Sequence, residues 1–210
     1  MKKKNYSYIG ISFIVLVFGI WVAIQIQDRY GQPDLVIVGE KTVPEFELTN
    51  QHGETISNKD LEGKVYVVEF FFTSCPDICP IMNENMLIIQ REFFGNPNVA
   101  IVSITVDPAH DTPEVLKAYA AQHNITKKDW HLLTGNRDEI FQLANDGFNL
   151  YVAEAPEDRG GFQHSGFFAL IDKEGFIRSR TDEQGNPYIY YDGLESKQVH
   201  QLKEDINKLL

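Results

Sequence analysis

The stretch KVYVVEFFF, Lys64–Phe72, limits what this chain can become more than any other. It is short, almost continuously apolar, and rich in β-branched and aromatic residues. A strand buried on both faces requires such a run, whereas a strand with one wet face alternates. NVAIVSITV, Asn98–Val106, repeats the pattern. Helical segments follow each run: ENMLIIQREFF after the first, and PEVLKAYAAQH after the second, where Thr112 supplies the cap and Pro113 the first helical position. WHLLTG reads as a short third strand. Asn136 or Asp138 opens a further helix through FQLAND.

The flanks complete the pattern. PEFELTNQHGETIS predicts a small hairpin, with turn residues from Asn50 to Gly53. FFALID, Phe167–Asp172, is a strand, Lys173–Gly175 a turn, FIRSR the hairpin partner, and Leu194–Leu210 an amphipathic closing helix. Strands that alternate with helices give a parallel core, and the late hairpin adds an antiparallel edge. The expected class is α/β: a thioredoxin-like central mixed sheet flanked by helices, with an N-terminal β-hairpin extension.

The N-terminus obeys a different rule. Lys2, Lys3 and Lys4 precede YIGISFIVLVFGIWVAI, Tyr8–Ile24, a run with no charge and a single Ser. It reaches roughly 25 Å at 1.5 Å per residue, and Gln25–Gln27 extend it to about the 30 Å of a bilayer's hydrocarbon. A cleaved signal peptide has a shorter apolar region and a small-residue cleavage site, and no cysteine lies nearby to take a lipid. The reading is an uncleaved anchor in the bacterial cytoplasmic membrane, lysines inside and everything after about Asp28 on the extracytoplasmic, periplasmic side. The expected organisation is 1–27 stub and anchor, 28–42 tether with one short strand in DLVIV, and 43–210 globular domain. Residues 1–30 carry a net charge of +3 against −11 for the whole chain, which leaves −14 outside. So acidic a domain argues against nucleic acid as a partner.

The chain has two cysteines, Cys75 and Cys79, in FFTSCPDICP. They follow the first buried strand, and ligands in open α/β sheets sit outside the carboxyl ends of strands. The start of a helix there favours thiolate, and a spacing of four places both sulfurs on one face of its first turn. Three uses compete. A structural staple across so short a loop contributes about 2 kcal/mol, and a domain of this size does not need it. A redox pair usually has two intervening residues, not three. A metal site needs a third ligand, and His164 in GFQHSGFFALID is a candidate, because the segment entering that strand packs against the cysteine loop of a thioredoxin-like sheet. Two sulfurs and one imidazole suit copper, Cu(I) above all, while zinc more often takes a fourth protein ligand. The imidazole has to be neutral to bind.

FTSCPDICP, TVDPAHDTPE and QHSGFFALID, in that order, and the approach VPEFELTNQHGETISNKDLEGKVYVVEF resemble the Sco (SenC) proteins. The resemblance runs from about Val43 to the C-terminus. It implies a thioredoxin fold that binds one copper ion through Cys75, Cys79 and His164, with Asp107 of the DP motif in the outer shell. It also implies a part in building the binuclear copper centre of cytochrome c oxidase subunit II, by delivering copper, by reducing that subunit's cysteines, or both. Other expected partners are periplasmic copper carriers and thiol reductants. Cys75 and Cys79 are the redox-active pair if the chain is a thiol–disulfide reductase. The Ser-Gly after His164 is less bulky than the family pattern. Among the remaining candidates, Met82 and Met86 read as core, Asp77 and His110 as solvated, and Tyr188, Tyr190 and Tyr191 as edge-strand packing.

Overall fold

The structure is a computed structural model that describes residues 7–30, 35–156, 161–182 and 184–210, with side chains in the first range described from 12 to 23. The chain divides into two units, Met1–Asp34 and Leu35–Leu210. In the first, α1 (Ser7–Tyr30) is a 24-residue helix. Phe13, Ile14, Val15, Leu16, Phe18 and Trp21 are all more than half exposed. Part of the expected span Tyr8–Ile24 lies outside the described side chains, and among the described residues no helix is long and apolar enough to cross a membrane.

The second unit runs β1 (Val36–Ile37), β2 (Glu47–Asn50), β3 (Thr55–Ser57), α2 (Asn58–Leu61), β4 (Val65–Phe71), α3 (Cys79–Glu92), β5 (Val99–Thr105), α4 (Pro113–Gln122), β6 (Trp130–Thr134), α5 (Arg137–Gln142), β7 (Val152–Glu154), β8 (Phe162–His164), β9 (Phe167–Ile171), β10 (Ile177–Ser179), β11 (Tyr191–Asp192) and α6 (Ser196–Leu209). The main sheet is ordered β1-β10-β9-β4-β5-β6-β2-β3, with β11 on β9. β4, β5 and β6 are parallel, and β9 joins β4 antiparallel. Every residue of β4 and β5 is buried, as their apolar runs require. The N-terminal hairpin β2–β3 adds to the sheet edge through β6. There the Gln51 side chain donates to Trp130 O at 2.8 Å and accepts from Leu132 N at 2.9 Å.

The local signals act where the sequence puts them. Thr112 accepts from Val115 N at the start of α4, and Asn136 accepts from Asp138 N and Glu139 N at the start of α5. Other elements depart from expectation. The second unit opens at Leu35, which is buried, and β1 pairs with β10. α5 continues into a π-helical turn, Leu143–Gly147. A separate two-stranded hairpin, β7–β8, stands off the main sheet and carries His164.

The closing helix is tied in by charge. Asp205, fully buried on α6, accepts from Arg180 Nε at 2.7 Å, Arg180 Nη2 at 2.9 Å and Tyr191 Oη at 2.8 Å. Gly193, between β11 and α6, lies so close to the loop entering β9 that a Cβ there would sit 2.9 Å from the carbonyl of Gly166 and 2.7 Å from the Phe168 ring.

Candidate metal centre

β4 ends at Phe71, and the next four residues turn the chain toward α3. Asp111, only 1% exposed, fixes this turn. Its carboxylate accepts from Thr73 N at 3.1 Å, from the Thr73 hydroxyl and from the Thr105 hydroxyl, so the cysteine loop is bonded to the end of the neighbouring strand β5. Cys75 comes two residues after Thr73. Pro76 disfavours helical backbone at the residue before it, and α3 starts only at Cys79, with Pro80 in its first turn. The expectation that both cysteines share one helical turn is therefore corrected. Cys79 opens the helix, while Cys75 belongs to the loop before it.

Cys79 and His164 are buried and Cys75 is half-buried. His164 Nε2 is 3.1 Å from Cys79 Sγ. The donor atoms of Cys75, Cys79 and His164 lie within 4.8 Å of one another, the one such metal-competent group among the described residues. His164 Nδ1 is 3.1 Å from the carbonyl of Ser165. A carbonyl can only accept, so this contact keeps a proton on Nδ1 and turns Nε2 toward the sulfurs. The ring is steadied by Phe72, edge-to-face at 5.8 Å.

The two thiols differ. A hydrogen bond from Cys79 is the main cause that lowers the Cys75 pKa to about 4, helped by His164 and by the backbone of Asp77 and Cys79 and opposed by burial. The Cys79 thiol moves the other way, far above its usual range, because it donates to Cys75 and is buried. Cys75 is thus the standing thiolate. Its alkylation by iodoacetamide is expected to stay nearly flat from pH 9 down to about 5 and to fall only near pH 4. An ordinary thiol loses about tenfold per pH unit below its pKa of about 8.5. A rate that falls in that ordinary way, followed by mass spectrometry, would contradict this assignment.

Behind the sulfurs lies a residue that sequence reasoning passed over. Glu69, in the middle of the apolar β4, is buried and accepts from Ser103 Oγ at 2.6 Å, which in turn accepts from Trp130 Nε1 at 2.9 Å. Burial pushes this carboxyl up to about 7, with Ser103 and His164 opposing. With Cys79 and Asn83 it lines a small internal void. Its signal was a lone acid inside an otherwise apolar run.

Asp107 falls outside the three-donor group. Its carboxylate is 2.8 Å from Nδ1 of His110, and its N–H donates to Thr105 Oγ1 at 3.0 Å. Met82 and Met86 are core residues, 1% and 0% exposed, while Asp77 and His110 face solvent. Cys75 and His164 open onto a cleft of about 460 Å³ lined also by Phe72, Pro76, Asp77, Ile78, Phe162 and Gln163. A larger cavity, about 650 Å³, lies elsewhere, between Pro44–Leu48 and α5.

Fold and site together define a thioredoxin-like domain with a soft, three-donor centre at the carboxyl end of its central strand. The SCO1/SenC family model matches residues 37–197, and the chain belongs to that family. It is 33% identical over 149 residues to the SCO1 protein homolog of Bacillus subtilis, covering 70% of this chain and 77% of that protein. The solved structure of BsSco, described as a member of the Sco family of cytochrome c oxidase assembly proteins and as having a disulfide switch, superposes with a TM-score of 0.68 at 28% identity, over 84% of this chain and 96% of that one. Yeast Sco1, solved with copper bound, superposes with a TM-score of 0.61 at 26% identity, over 81% and 91%.

Proposed function

We propose that the chain is a membrane-anchored copper metallochaperone that holds Cu(I) between Cys75, Cys79 and His164 and passes it to the binuclear copper centre of cytochrome c oxidase subunit II. The observation that carries this reading is the convergence of two sulfurs and an imidazole within 4.8 Å. That donor set is soft, and it leaves room for an incoming ligand. Copper bound to a Sco relative supports the choice of metal. Asp107 acts from outside the donor set. It stands at the end of β5, where Val106 N bonds to Phe71 O at 2.8 Å at the start of the cysteine loop.

The anchor is α1. Its 24 residues span about 36 Å, its large apolar side chains from Phe13 to Trp21 are exposed, and Lys2–Lys4 precede it. The domain of residues 35–210 then works on the extracytoplasmic face, in the same compartment as other copper carriers and thiol reductants.

A second reading, a thiol–disulfide reductase acting on the oxidase subunit, is favoured by the half-exposed Cys75 thiolate and by the disulfide switch described for BsSco. The test mixes the full-length, detergent-solubilised, Cu(I)-loaded chain with the copper domain of subunit II. Offered the reduced apo domain, the chaperone transfers copper with no change in either partner's thiol count. Reduction of the disulfide form of that domain, with no copper moved to the reduced form, would establish the reductase instead.

A further inference from the structure

His164 and Cys79 stand on different pieces of the fold, and the space between them has to be fixed by tertiary contacts. β7–β8, which ends at His164, is a two-stranded sheet of its own. From there the chain turns through Ser165 and Gly166 into β9. A strap between β11 and α6 braces this turn. β11 pairs with β9 at Tyr191–Phe168 and Asp192–Phe167. Gly193 carries the pairing one step further, its N–H donating to Gly166 O at 2.7 Å. The Gly193 carbonyl accepts from the Asn85 side chain at 2.7 Å, and Asn85 belongs to α3, the helix that Cys79 opens.

Two hydrogen bonds through one residue thus link the helix that presents Cys79 to the turn just beyond His164. Packing closes the same gap. A Cβ on Gly166 would lie 3.3 Å from the Leu194 side chain and 3.8 Å from that of Ile78, the residue before Cys79. The strap is also held from behind, because Asp192 N donates to Gln198 Oε1 on α6 at 2.9 Å. Asn85 is half-buried, so water could satisfy its amide. What the direct bond adds is a fixed distance.

We infer that Asn85 and Gly193 are positioning residues for the metal centre: the Asn85–Gly193–Gly166 link sets the approach of His164 to Cys79 and so tightens the hold on Cu(I). The inference rests on the three-donor reading above. Cys75 and Cys79 keep their spacing through one short loop, whereas the imidazole reaches them only across the fold. Its placement therefore depends on the brace in a way that theirs does not. A ligand already in place when the ion arrives does not have to be ordered by binding.

The test uses the full-length chain in detergent. Asn85→Leu keeps a branched side chain of similar size and removes the donor. Gly193→Ala, on the other side of the link, forces a methyl against the Gly166 carbonyl. Each is made with His164 present and again in a His164→Ala background, and Cu(I) affinity is measured by competition with bicinchoninate. With His164 present, affinity is expected to fall about tenfold, the lower end for residues that orient a metal ligand. In the His164→Ala background no further loss is expected, because such a cycle isolates what two residues do together. The nitrogen splitting in the EPR spectrum of the Cu(II)-loaded chain is expected to shrink in each variant. In the metal-free chain, the Gly193 amide is expected to lose protection from hydrogen exchange in Asn85→Leu. Unchanged affinity in both variants, unchanged nitrogen splitting, or unchanged protection of Gly193 overturns the inference. So does a loss of affinity equal with and without His164, which would make the link a support of the fold alone. If His164→Ala by itself leaves affinity unchanged, the three-donor reading falls, and this inference with it.

Discussion

His164→Ala lowers Cu(I) affinity by at least about a hundredfold, since loss even of a residue that only orients a ligand costs 10- to 100-fold. The geometry leaves no substitute. Nε2 is 3.1 Å from Cys79 Sγ, and no other imidazole joins the two sulfurs among the described residues. The remaining dithiolate would hold the ion by two donors on one short loop. Competition against bicinchoninate, with the cysteines kept reduced, measures the change. The ring also packs on Phe72 and is 7% exposed, so His164→Gln is the companion variant, close in size and able to hydrogen-bond but without a soft nitrogen. Both variants are expected to weaken binding alike and to unfold in urea close to the wild type. Wild-type affinity in either would remove His164 from the ligand set. The reductase reading predicts that His164 is dispensable while both cysteines are needed.

The second large effect is on stability. Asp205→Ala is expected to cost about 3–5 kcal/mol, the range for removing one partner of a buried ion pair. Asp205 is 0% exposed and takes hydrogen bonds from Arg180 and Tyr191, with Lys208 Nζ at 2.8 Å. Alanine leaves the Arg180 guanidinium, itself 8% exposed, without its main counter-charge. Urea denaturation of the full-length chain reads the loss directly. The double variant Arg180→Met, Asp205→Leu is expected to recover most of it, because the penalty comes from the orphaned charge more than from the lost attraction. A loss below about 1 kcal/mol would mean that Arg180 re-pairs, with Glu204 at 3.2 Å the nearest alternative.

The sheet was legible because its burial is written in composition. Val65–Phe71 and Val99–Thr105 are buried at every position, and the apolar runs said so. Thr112 and Asn136 mark helix starts by a local mechanism, and local mechanisms survive in any fold. The donor residues were legible for a different reason: two cysteines and one histidine were the soft donors at the expected strand ends, and motif order joined them. Their arrangement was not. Cys75 and Cys79 were expected on one helical turn, but Pro76 keeps Cys75 outside it. β7 and β8 are three residues each, too short for a periodicity to announce the hairpin that aims His164. Asp111 carried no signal in the sequence, because its carboxylate bonds back to Thr73, 38 residues earlier. Glu69 was hidden by its own strand, since its partner Ser103 is on the next strand and only pairing reveals it.

His164 and Cys79 are 85 residues apart in sequence, on a hairpin and a helix that meet only once the sheet has closed. An ion bound by all three donors is therefore bound by the tertiary structure, and an unfolded chain offers it at best the cysteine loop. Retention of cargo and persistence of the native state become a single equilibrium. On the chaperone reading, the loaded chain resists melting and proteolysis, and each delivery leaves a less durable molecule. Turnover of the empty form would then follow metal supply without any dedicated regulator.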